Sequence, residues 1–409
     1  MVYYRRVGEV PDKRHIAFRD AAGALRYEEL MGEEGFSSDS SLLYHSGVPS
    51  ALVRSSVWGL PDSTLSANHP LKPRHLRLHG LFDADADAGA TAVAGHHVDA
   101  VQGRRLVLGN GDVRISYVVA TRRSPYYRNA VGDECVFVEA GSGTVETVFG
   151  VLGYRTGDFV VVPRATTHRW SPAEASRLYV VEANSHVAPP RRYLSRYGQL
   201  LEHAPYSERD LHGPAGPFIA EPASDVEVLV KHRGNGPGGL VGTRLTYATS
   251  PFDVVGWDGC LYPFTFNVED FMPITGKVHQ PPPVHQVFEA GGFVVCAFVP
   301  RKVDYHPESI PVPYYHSNVD SDEVMFYVAG DYEARKGSGI GLGSVSLHPG
   351  GLAHGPQPSA VEASIGVDHF DELAVMVDTF RPLELGEAAL AAEDPAYAWT
   401  WAGRGPVSD

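Results

Sequence analysis

The sequence has a deficit of positive charge and no long apolar run. There are 34 lysine and arginine residues against 49 aspartate and glutamate residues, which gives a formal net charge of −15. A chain this acidic is repelled by nucleic acid and by anionic membranes. No run approaches the roughly 18 apolar residues of a membrane-spanning helix, and the first residues lack the apolar segment of a secretory signal. We therefore expect a cytoplasmic protein that binds neither nucleic acid nor membranes.

Cysteine is also scarce. The chain has three cysteines, widely spaced and without a C-x-x-C pair, so neither a disulfide framework nor a cysteine-rich zinc site is expected. Cys135 and Cys296 lie within the apolar runs CVFV and FVVCAFV. These two thiols are therefore predicted to be buried and free.

Helical periodicity is weak as well, whereas short β-prone runs are abundant. Runs such as VRISYVVAT, DFVVVP and VMFYVAG recur between turns supplied by 43 glycines and 31 prolines. This pattern predicts an all-β architecture. A chain of 409 residues is long enough for two domains. We predict an N-terminal β domain over 1–245, a C-terminal domain over 246–390 and a tail over 391–409.

Two segments of the sequence open an internal repeat. The first is SPYYRNAVGDECVFVEAG at 124–141, and the second is VPYYHSNVDSDEVMFYVAG at 312–330. In each, a glutamate is followed after six residues by a glycine. Downstream, GDFVVVPRATTH (157–168) and GSVSLHPGGLAH (343–354) share Gly, five residues, Pro, four residues and His. The matched spacings indicate a duplicated domain rather than a solenoid.

These spacings resemble the two motifs of the cupin family, whose members are small jelly-roll barrels. The resemblance implies a duplicated cupin, or bicupin. Its C-terminal copy retains His316, Glu323 and His354, with Asn318 where a cupin often has a second histidine. Two histidines and one carboxylate form a facial triad, which is typical of non-haem Fe(II) oxygenases. We predict these three residues as metal ligands.

Asp320 and Asp322 are alternatives to Glu323 as the carboxylate ligand. Glu323 is preferred because its spacing to Gly330 repeats the spacing of Glu134 to Gly141. The two aspartates are expected to be solvated.

The N-terminal copy of the motif, within about 115–190, is degenerate. Arg128 and Ala130 stand at its two histidine positions, and only Glu134 and His168 are retained. A cation at Arg128 would oppose a bound metal ion. This copy is therefore predicted to be an inactive, metal-free barrel with a structural role.

The C-terminal half resembles homogentisate 1,2-dioxygenase beyond the cupin motifs. The resemblance covers roughly 35–385, is strongest from 250 onward, and is carried by SPFDVVGWDGCLYPFTFNVEDFMPI, PYYHSN, GDYEARKGSGIGLGSVSLHPGGLAHGP and DELAVMVDTFRPLEL. It implies an Fe(II) enzyme that cleaves the ring of homogentisate with both atoms of O2 and gives maleylacetoacetate, a step of tyrosine and phenylalanine breakdown. It also implies a homo-oligomer, a trimer or a hexamer.

The same resemblance assigns roles to individual residues. His316, Glu323 and His354 match the iron ligands, and His354 also lies beside the substrate in the family. Tyr332 matches a substrate-contacting tyrosine. His279 matches the catalytic histidine, with His285 as the alternative because the alignment there needs a gap. A neutral histidine suits this role, since a hydroquinone must lose a phenolic proton.

One departure from the family concerns the substrate. Ser317 stands where the family commonly has arginine after the first iron-ligand histidine. An anionic carboxymethyl group needs a cation nearby, which Arg335 or Lys336 would have to supply. This departure leaves a dioxygenase of another substituted hydroquinone as an alternative. Two further alternatives are a metal-dependent cupin isomerase using Zn or Mn and a non-catalytic binding or storage bicupin.

Overall fold

A computed structural model describes residues 3–82, 98–277 and 280–407. These residues form two compact units that alternate along the chain. The first unit draws on 1–63, 97–104 and 117–267, and the second on 64–96, 105–116 and 268–409. The sequence-based domain limits at 245 and 390 remain predictions.

Strands dominate the described part of the chain. The first fourteen are β1 (Arg5–Gly8), β2 (Tyr27–Gly32), β3 (Ser40–His45), β4 (Leu52–Trp58), β5 (Leu65–Ser66), β6 (Arg74–Arg77), β7 (Arg105–Gly109), β8 (Val113–Ala120), β9 (Tyr126–Asn129), β10 (Glu134–Ala140), β11 (Gly143–Thr147), β12 (Gly150–Tyr154), β13 (Asp158–Val162) and β14 (His168–Pro172). The remaining strands are β15 (Ser176–Ala183), β16 (Val226–Arg233), β17 (Leu240–Tyr247), β18 (Val254–Gly259), β19 (Phe264–Asn267), β20 (Gln286–Ala290), β21 (Phe293–Phe298), β22 (Arg301–Lys302), β23 (Asp322–Gly330), β24 (Ser344–His348), β25 (His369–Phe370), β26 (Glu372–Thr379) and β27 (Glu384–Gly386). Two short helices follow late in the chain, α1 (Pro358–Ser364) and α2 (Glu387–Ala392).

The first unit is built from layered antiparallel sheets. One row of strands is β12-β11-β14-β9-β16-β17-β4, in which only the β9–β16 pair is parallel, and another is β19-β13-β10-β15. Side chains from both rows, among them Val136, Val160 and Trp170, form a buried apolar cluster. Because β10 lies between core layers, its residues from Glu134 to Glu139 are buried on both faces. A sandwich of this kind buries the apolar runs that the sequence spaces between turns.

The second unit is centred on a six-stranded antiparallel sheet with the order β20-β21-β26-β23-β24-β6. Alternate side chains of a strand face opposite sides of a sheet. On β23, Val324 and Phe326 are fully buried, whereas Met325 between them is partly exposed. Glu323 and Met325 therefore share the face of the sheet that bears the cavity described below.

The predicted fold class, an all-β duplicated cupin, is confirmed by this architecture. Inactivity of the N-terminal barrel remains a proposal. Cys135 and Cys296 are buried thiols that form no disulfide within the described residues, as predicted. Within the described residues, none of the helices is long and apolar enough to cross a membrane.

A buried histidine in the first unit gives a pH-dependent prediction. Burial by itself would lower the pKa of His45, but its hydrogen bonds to Asp253 (2.7 Å) and Glu29 (3.0 Å) raise the pKa to about 9. The resulting stabilisation is complete below the unfolded pKa near 6.5 and is lost as pH rises through about 9. Allowing for the partial solvation of Glu29, it should amount to about 2 kcal/mol.

We therefore expect wild-type protein to lose more stability between pH 6 and pH 10 than His45→Gln, measured by urea unfolding at each pH. His15→Gln is the matched control, because His15 pairs with Glu28 but its side chain is 96% exposed. Parallel pH profiles for wild type and His45→Gln would contradict the prediction.

Candidate metal centre

Three side chains converge near the start of β23 in the sheet of the second unit. Glu323 is the second residue of β23 and pairs in register with His348 on β24. His316 and His354 lie in the flanking segments and form a two-residue antiparallel bridge, with both backbone N–H···O distances at 2.9 Å. The bridge fixes the separation of the two rings, because the backbones that carry them are hydrogen-bonded to each other.

The three functional groups face a common point. The Nε2 atoms of His316 and His354 each lie 3.5 Å from Oε2 of Glu323. The two ring centroids are 4.4 Å apart, with planes inclined by 62°. One ligand atom from each residue lies within 4.8 Å of the other two. This is the spacing of atoms that can share a single metal ion.

The protonation pattern of both rings suits metal binding. Nδ1 of His316 donates to the Tyr314 carbonyl and Nδ1 of His354 donates to the Leu352 carbonyl, each at 3.0 Å. That tautomer leaves the Nε2 lone pairs free, and both Nε2 atoms are buried without a hydrogen-bond partner. Buried polar atoms are seldom left unsatisfied. A divalent cation bound by both nitrogens and by Glu323 would satisfy them, so the residues present fit the implied iron.

Glu323 is held ionised and in place. Burial would raise its pKa, but interactions with His316, His348 and His354 keep the pKa well below the usual range. His348 Nδ1 donates to Glu323 Oε1 at 3.0 Å, and His348 Nε2 accepts from the Tyr397 hydroxyl at 2.9 Å. Burial, followed by the charge of Arg335, lowers the pKa of His348 to about 3, so its ring is neutral. A support of this kind orients a carboxylate ligand.

The other two carboxylates of the acidic cluster differ from each other. Asp320 is exposed, as expected. Asp322 is buried and accepts hydrogen bonds from the backbone N–H groups of Gly350 and Leu383. The expectation that Asp322 is solvated was therefore wrong, because its carboxylate satisfies two buried backbone donors.

A cavity of about 660 Å³ is lined by two of the three predicted ligands, His316 and Glu323. Tyr332, Ser317 and Arg335 all lie on its wall. Arg335 is buried and donates to the Tyr327 hydroxyl at 3.1 Å and to the Gly355 carbonyl. Lys336 is exposed and lies 3.8 Å from the exposed Asp331 carboxylate. Of the two candidate cations, the structure therefore places only Arg335 at the cavity.

Asp378 also lies on the cavity wall, opposite Glu323 in the register of β26 and β23. Burial and the neighbouring charge of Glu323 raise the pKa of Asp378 to about 8. A largely neutral carboxyl group therefore lies beside the candidate metal ligand at pH 7.

The two candidates for the catalytic base have different outcomes. His279 lies outside the described residues, and its role remains a prediction. His285 is fully buried and packs against Phe298, with ring centroids 4.3 Å apart. Burial and the charge of Arg301 lower the pKa of His285 to about 3. A buried ring of such low basicity is a poor proton acceptor at neutral pH.

In the N-terminal copy, a guanidinium group lies beside the residues that match the metal ligands. Arg104 donates two hydrogen bonds to Glu134, both at 2.9 Å, and one to Glu182 at 2.8 Å. Nε2 of His168 is 3.9 Å from the same Glu134 carboxylate. Burial alone would raise the pKa of Glu134, but the adjacent Arg104 holds it well below the usual range.

Arg128 was the cation expected to oppose a metal ion in this copy, and that role remains a prediction. The Arg128 guanidinium donates to Thr167 Oγ1 and to the Tyr247 hydroxyl. Arg128 stands at the predicted position of the motif, but its side chain is directed towards these two neighbouring hydroxyl groups. Arg104 reaches Glu134 from outside the repeated segments, where no motif marks it.

Sequence reasoning also missed His348, Tyr397 and Trp401. His348 directly precedes the proline of the motif. The N-terminal copy has no histidine at the matching position, so comparison of the two copies did not mark it. The segment Tyr397–Ala402 was assigned to a tail, yet Trp401 Nε1 lies 3.2 Å from the carbonyls of Gly355 and Pro356, just after His354. Its aromatic density, YAWTW, was the available signal of a packed segment.

Comparison with known proteins places the chain in a family. Residues 64–268 match the model described as homogentisate 1,2-dioxygenase N-terminal, and residues 282–404 match the corresponding C-terminal model. A protein of Saccharolobus solfataricus, named provisionally as a dioxygenase without a substrate, is 38% identical over 98% of this chain and 99% of its own length. Homogentisate 1,2-dioxygenase of Oryza sativa subsp. japonica is 30% identical over 75% of this chain and 68% of its own length.

Among the solved structures to which this chain is similar is a cupin 2 conserved barrel domain protein from Leptotrichia buccalis. It covers 79% of this chain and all of its own at 9% identity, with a TM-score of 0.31. Both family models match along the sequence, and together they cover most of the chain. The chain therefore belongs to the homogentisate 1,2-dioxygenase family.

Proposed function

We propose that this protein is an Fe(II)-dependent dioxygenase that converts homogentisate and O2 to maleylacetoacetate in tyrosine and phenylalanine breakdown. The proposal rests mainly on the convergence of His316, Glu323 and His354. The Nε2 atoms of the two histidines are buried and lack hydrogen-bond partners. Membership of the family supports the reaction type. The adjoining cavity supplies a place for an aromatic substrate.

The proposed reaction conserves all atoms of both reactants. The aromatic bond between the substituted carbon and its neighbouring hydroxyl-bearing carbon breaks. One oxygen atom of O2 completes a carboxylic acid at the former hydroxyl carbon, and the other becomes a ketone oxygen at the substituted carbon. O2 is the oxidant, and both of its atoms remain in the product.

Different residues of the protein would have different roles in this reaction. Bound Fe(II) would supply the activation of O2. His316, Glu323 and His354 would hold the ion. His348 and Tyr397 fix the Glu323 carboxylate, since they form a hydrogen-bonded chain to Oε1. His279 is proposed as the acceptor of the phenolic proton.

The proposed function is tested by loading the metal-free protein with Fe(II) under anaerobic conditions and then measuring O2 uptake with homogentisate. We expect one O2 consumed per substrate and a product with the mass of the substrate plus two oxygen atoms. Substrate isomerised without O2 uptake would support a cupin isomerase, and binding without any conversion would support a storage protein.

Tyr332 is proposed to orient the substrate through its hydroxyl group. Its ring lies on the cavity wall, 4.9 Å from the ring of Tyr327. Replacing Tyr332 by phenylalanine should lower kcat/KM for O2 uptake by roughly threefold to tenfold, the effect of one hydrogen bond. Tyr315→Phe is the control, because Tyr315 is half exposed and does not line the cavity. Equal kinetics for the two variants would argue against a role for the Tyr332 hydroxyl.

A different substituted hydroquinone is the second candidate substrate, and Ser317 favours it. This uncharged residue lines the cavity next to His316, and it cannot pair with a carboxymethyl group as a cation would. The chemistry at the metal would be unchanged, since only the substituent differs.

We further propose that the protein acts in the cytoplasm as a homo-oligomer, a trimer or a hexamer. Family membership supports this assembly. Light scattering coupled to size-exclusion chromatography gives the mass directly, and a monomer mass near 44.3 kDa would overturn the proposal.

A further inference from the structure

The cavity in the second unit continues well past the candidate metal centre along the sheet. On β26, the side chains that line it are alternate residues, from Asp378 beside Glu323 through Met376 and Ala374 to Glu372. The six residue steps from Glu372 to Asp378 span roughly 20 Å of extended strand. A single aromatic ring bound at the metal end is about as wide as one two-residue step, roughly 7 Å. Most of this floor therefore lies beyond the ring.

The middle of the floor is apolar. Met325 on β23 pairs in register with Met376, and Phe298 on β21 pairs with Ala374. Met325 is only partly buried, so its side chain presents apolar surface to the cavity. The Phe298 ring, also partly buried, contacts the His285 ring and the Arg301 guanidinium, which lies 5.4 Å from its centroid. Ile310, 56% exposed, continues this surface on the wall. Methionine suits such a surface because its flexible side chain adapts to the shape of a ligand.

Charge along the cavity does not favour an anionic substituent. Apart from the predicted ligand Glu323 and the largely neutral Asp378, its described lining residues include two guanidinium groups and three carboxyl groups, Arg301, Arg335, Asp304, Asp320 and Glu372. Arg301 donates to Glu372 at 2.9 Å, to Gln280 at 3.0 Å and to the Val299 carbonyl at 3.1 Å. Arg335 donates to the Tyr327 hydroxyl and the Gly355 carbonyl. Both guanidinium groups already have protein partners, so a substrate carboxylate would share them with these partners.

We infer that the preferred substrate is a hydroquinone whose ring substituent is an uncharged alkyl or alkenyl chain, which lies over Met325. This inference rests on the proposed ring-cleaving function, in which homogentisate is converted but is not the best substrate, and it specifies the second candidate substrate named above. The bond changes are those given above, with the alkyl-bearing carbon in place of the carboxymethyl-bearing carbon. Chain length should matter because each methylene removed from water adds favourable transfer free energy.

The test compares homogentisate with methyl-, propyl- and pentylhydroquinone as substrates of the Fe(II)-loaded protein. We expect kcat/KM for O2 uptake to rise by about fourfold for each added methylene and to exceed the value for homogentisate. Binding of the same compounds to the metal-free protein under argon, measured by calorimetry, should follow the same order. A higher kcat/KM for homogentisate, or no dependence on chain length, would overturn the inference.

Met325→Lys should reverse the preference, because it places a cation on the apolar floor. The variant should lose the chain-length dependence and bind homogentisate more tightly than wild type does. Leu342→Lys is the matched control, since Leu342 is 58% exposed and does not line the cavity. An unchanged substrate order in a folded Met325→Lys protein would show that the substituent does not lie over Met325.

Failure of the inference and failure of the proposed function give different results. Efficient O2 uptake with homogentisate alone would support the function and overturn the inference. Absence of O2 uptake with every compound, combined with calorimetric binding that strengthens with chain length, would overturn the function and support the inference about the cavity.

Discussion

Replacing Glu323 by alanine should abolish ring cleavage and metal retention together. The carboxylate lies 3.5 Å from both histidine Nε2 atoms, so its removal leaves two neutral rings to hold a divalent ion. Loss of a supporting group alone costs up to about a hundredfold in metal affinity or activity. Loss of the ligand itself should therefore lower O2 uptake by more than about a hundredfold. Metal content after gel filtration and O2 uptake with homogentisate both measure the effect.

Asp320→Ala is the matched control for this experiment. Asp320 lies three positions before Glu323 and also lines the cavity, but its carboxylate is outside the cluster formed with His316 and His354. This variant should retain its metal. Full metal content in Glu323→Ala, with a rate within twofold of wild type, would show that the metal centre has been wrongly placed.

Removing the Arg104 guanidinium should produce the largest loss of stability. Arg104→Met leaves two buried carboxylates, Glu134 and Glu182, which lose their shared guanidinium. The Lys231 ammonium group still contacts Glu182, and Asn129 Nδ2 still donates to Glu134 at 3.0 Å. Breaking a buried ion pair by removing one partner typically costs 3–5 kcal/mol, about the scale expected for this variant. The free energy of unfolding from guanidinium titration at pH 7 gives the value directly.

Two further variants separate the charge effect from lost packing. Arg104→Met combined with Glu134→Gln should recover part of the loss, because the uncompensated buried charge is then removed. Arg54→Met breaks the exposed pair with Glu227 and should cost at most about 1 kcal/mol. If Arg104→Met were no less stable than Arg54→Met, the buried network would not stabilise the first unit.

The candidate ligands could be predicted because they lie within a repeated pattern. Comparison of the two copies selected Glu323 from three adjacent carboxylates, since the Glu-to-Gly spacing is common to both. The structure then brings Glu323 together with His316 and His354. A β-strand supports such a prediction well, because register and alternation fix which residues share a face.

The supporting residues could not be predicted in the same way. Arg104 and Tyr397 lie outside the repeated segments. Arg104 bonds to Glu134, 30 positions away, and Tyr397 bonds to His348, 49 positions away. Asp322 was assigned to solvent because the acidic segment around it resembles a solvated loop. Its burial depends on the backbone groups of Gly350 and Leu383, which only the folded chain brings within hydrogen-bond distance.

By itself, the sequence determined the strand-rich architecture, the duplication and the three candidate ligands. Each of these depends on local periodicity or on spacing that recurs along the chain. Only the tertiary structure decided which cation neutralises Glu134, what holds Glu323, and which side chains cover the cavity beyond the metal centre. These outcomes depend on long-range pairing of buried charges and polar groups, whose cost without a partner selects contacts that no local pattern encodes.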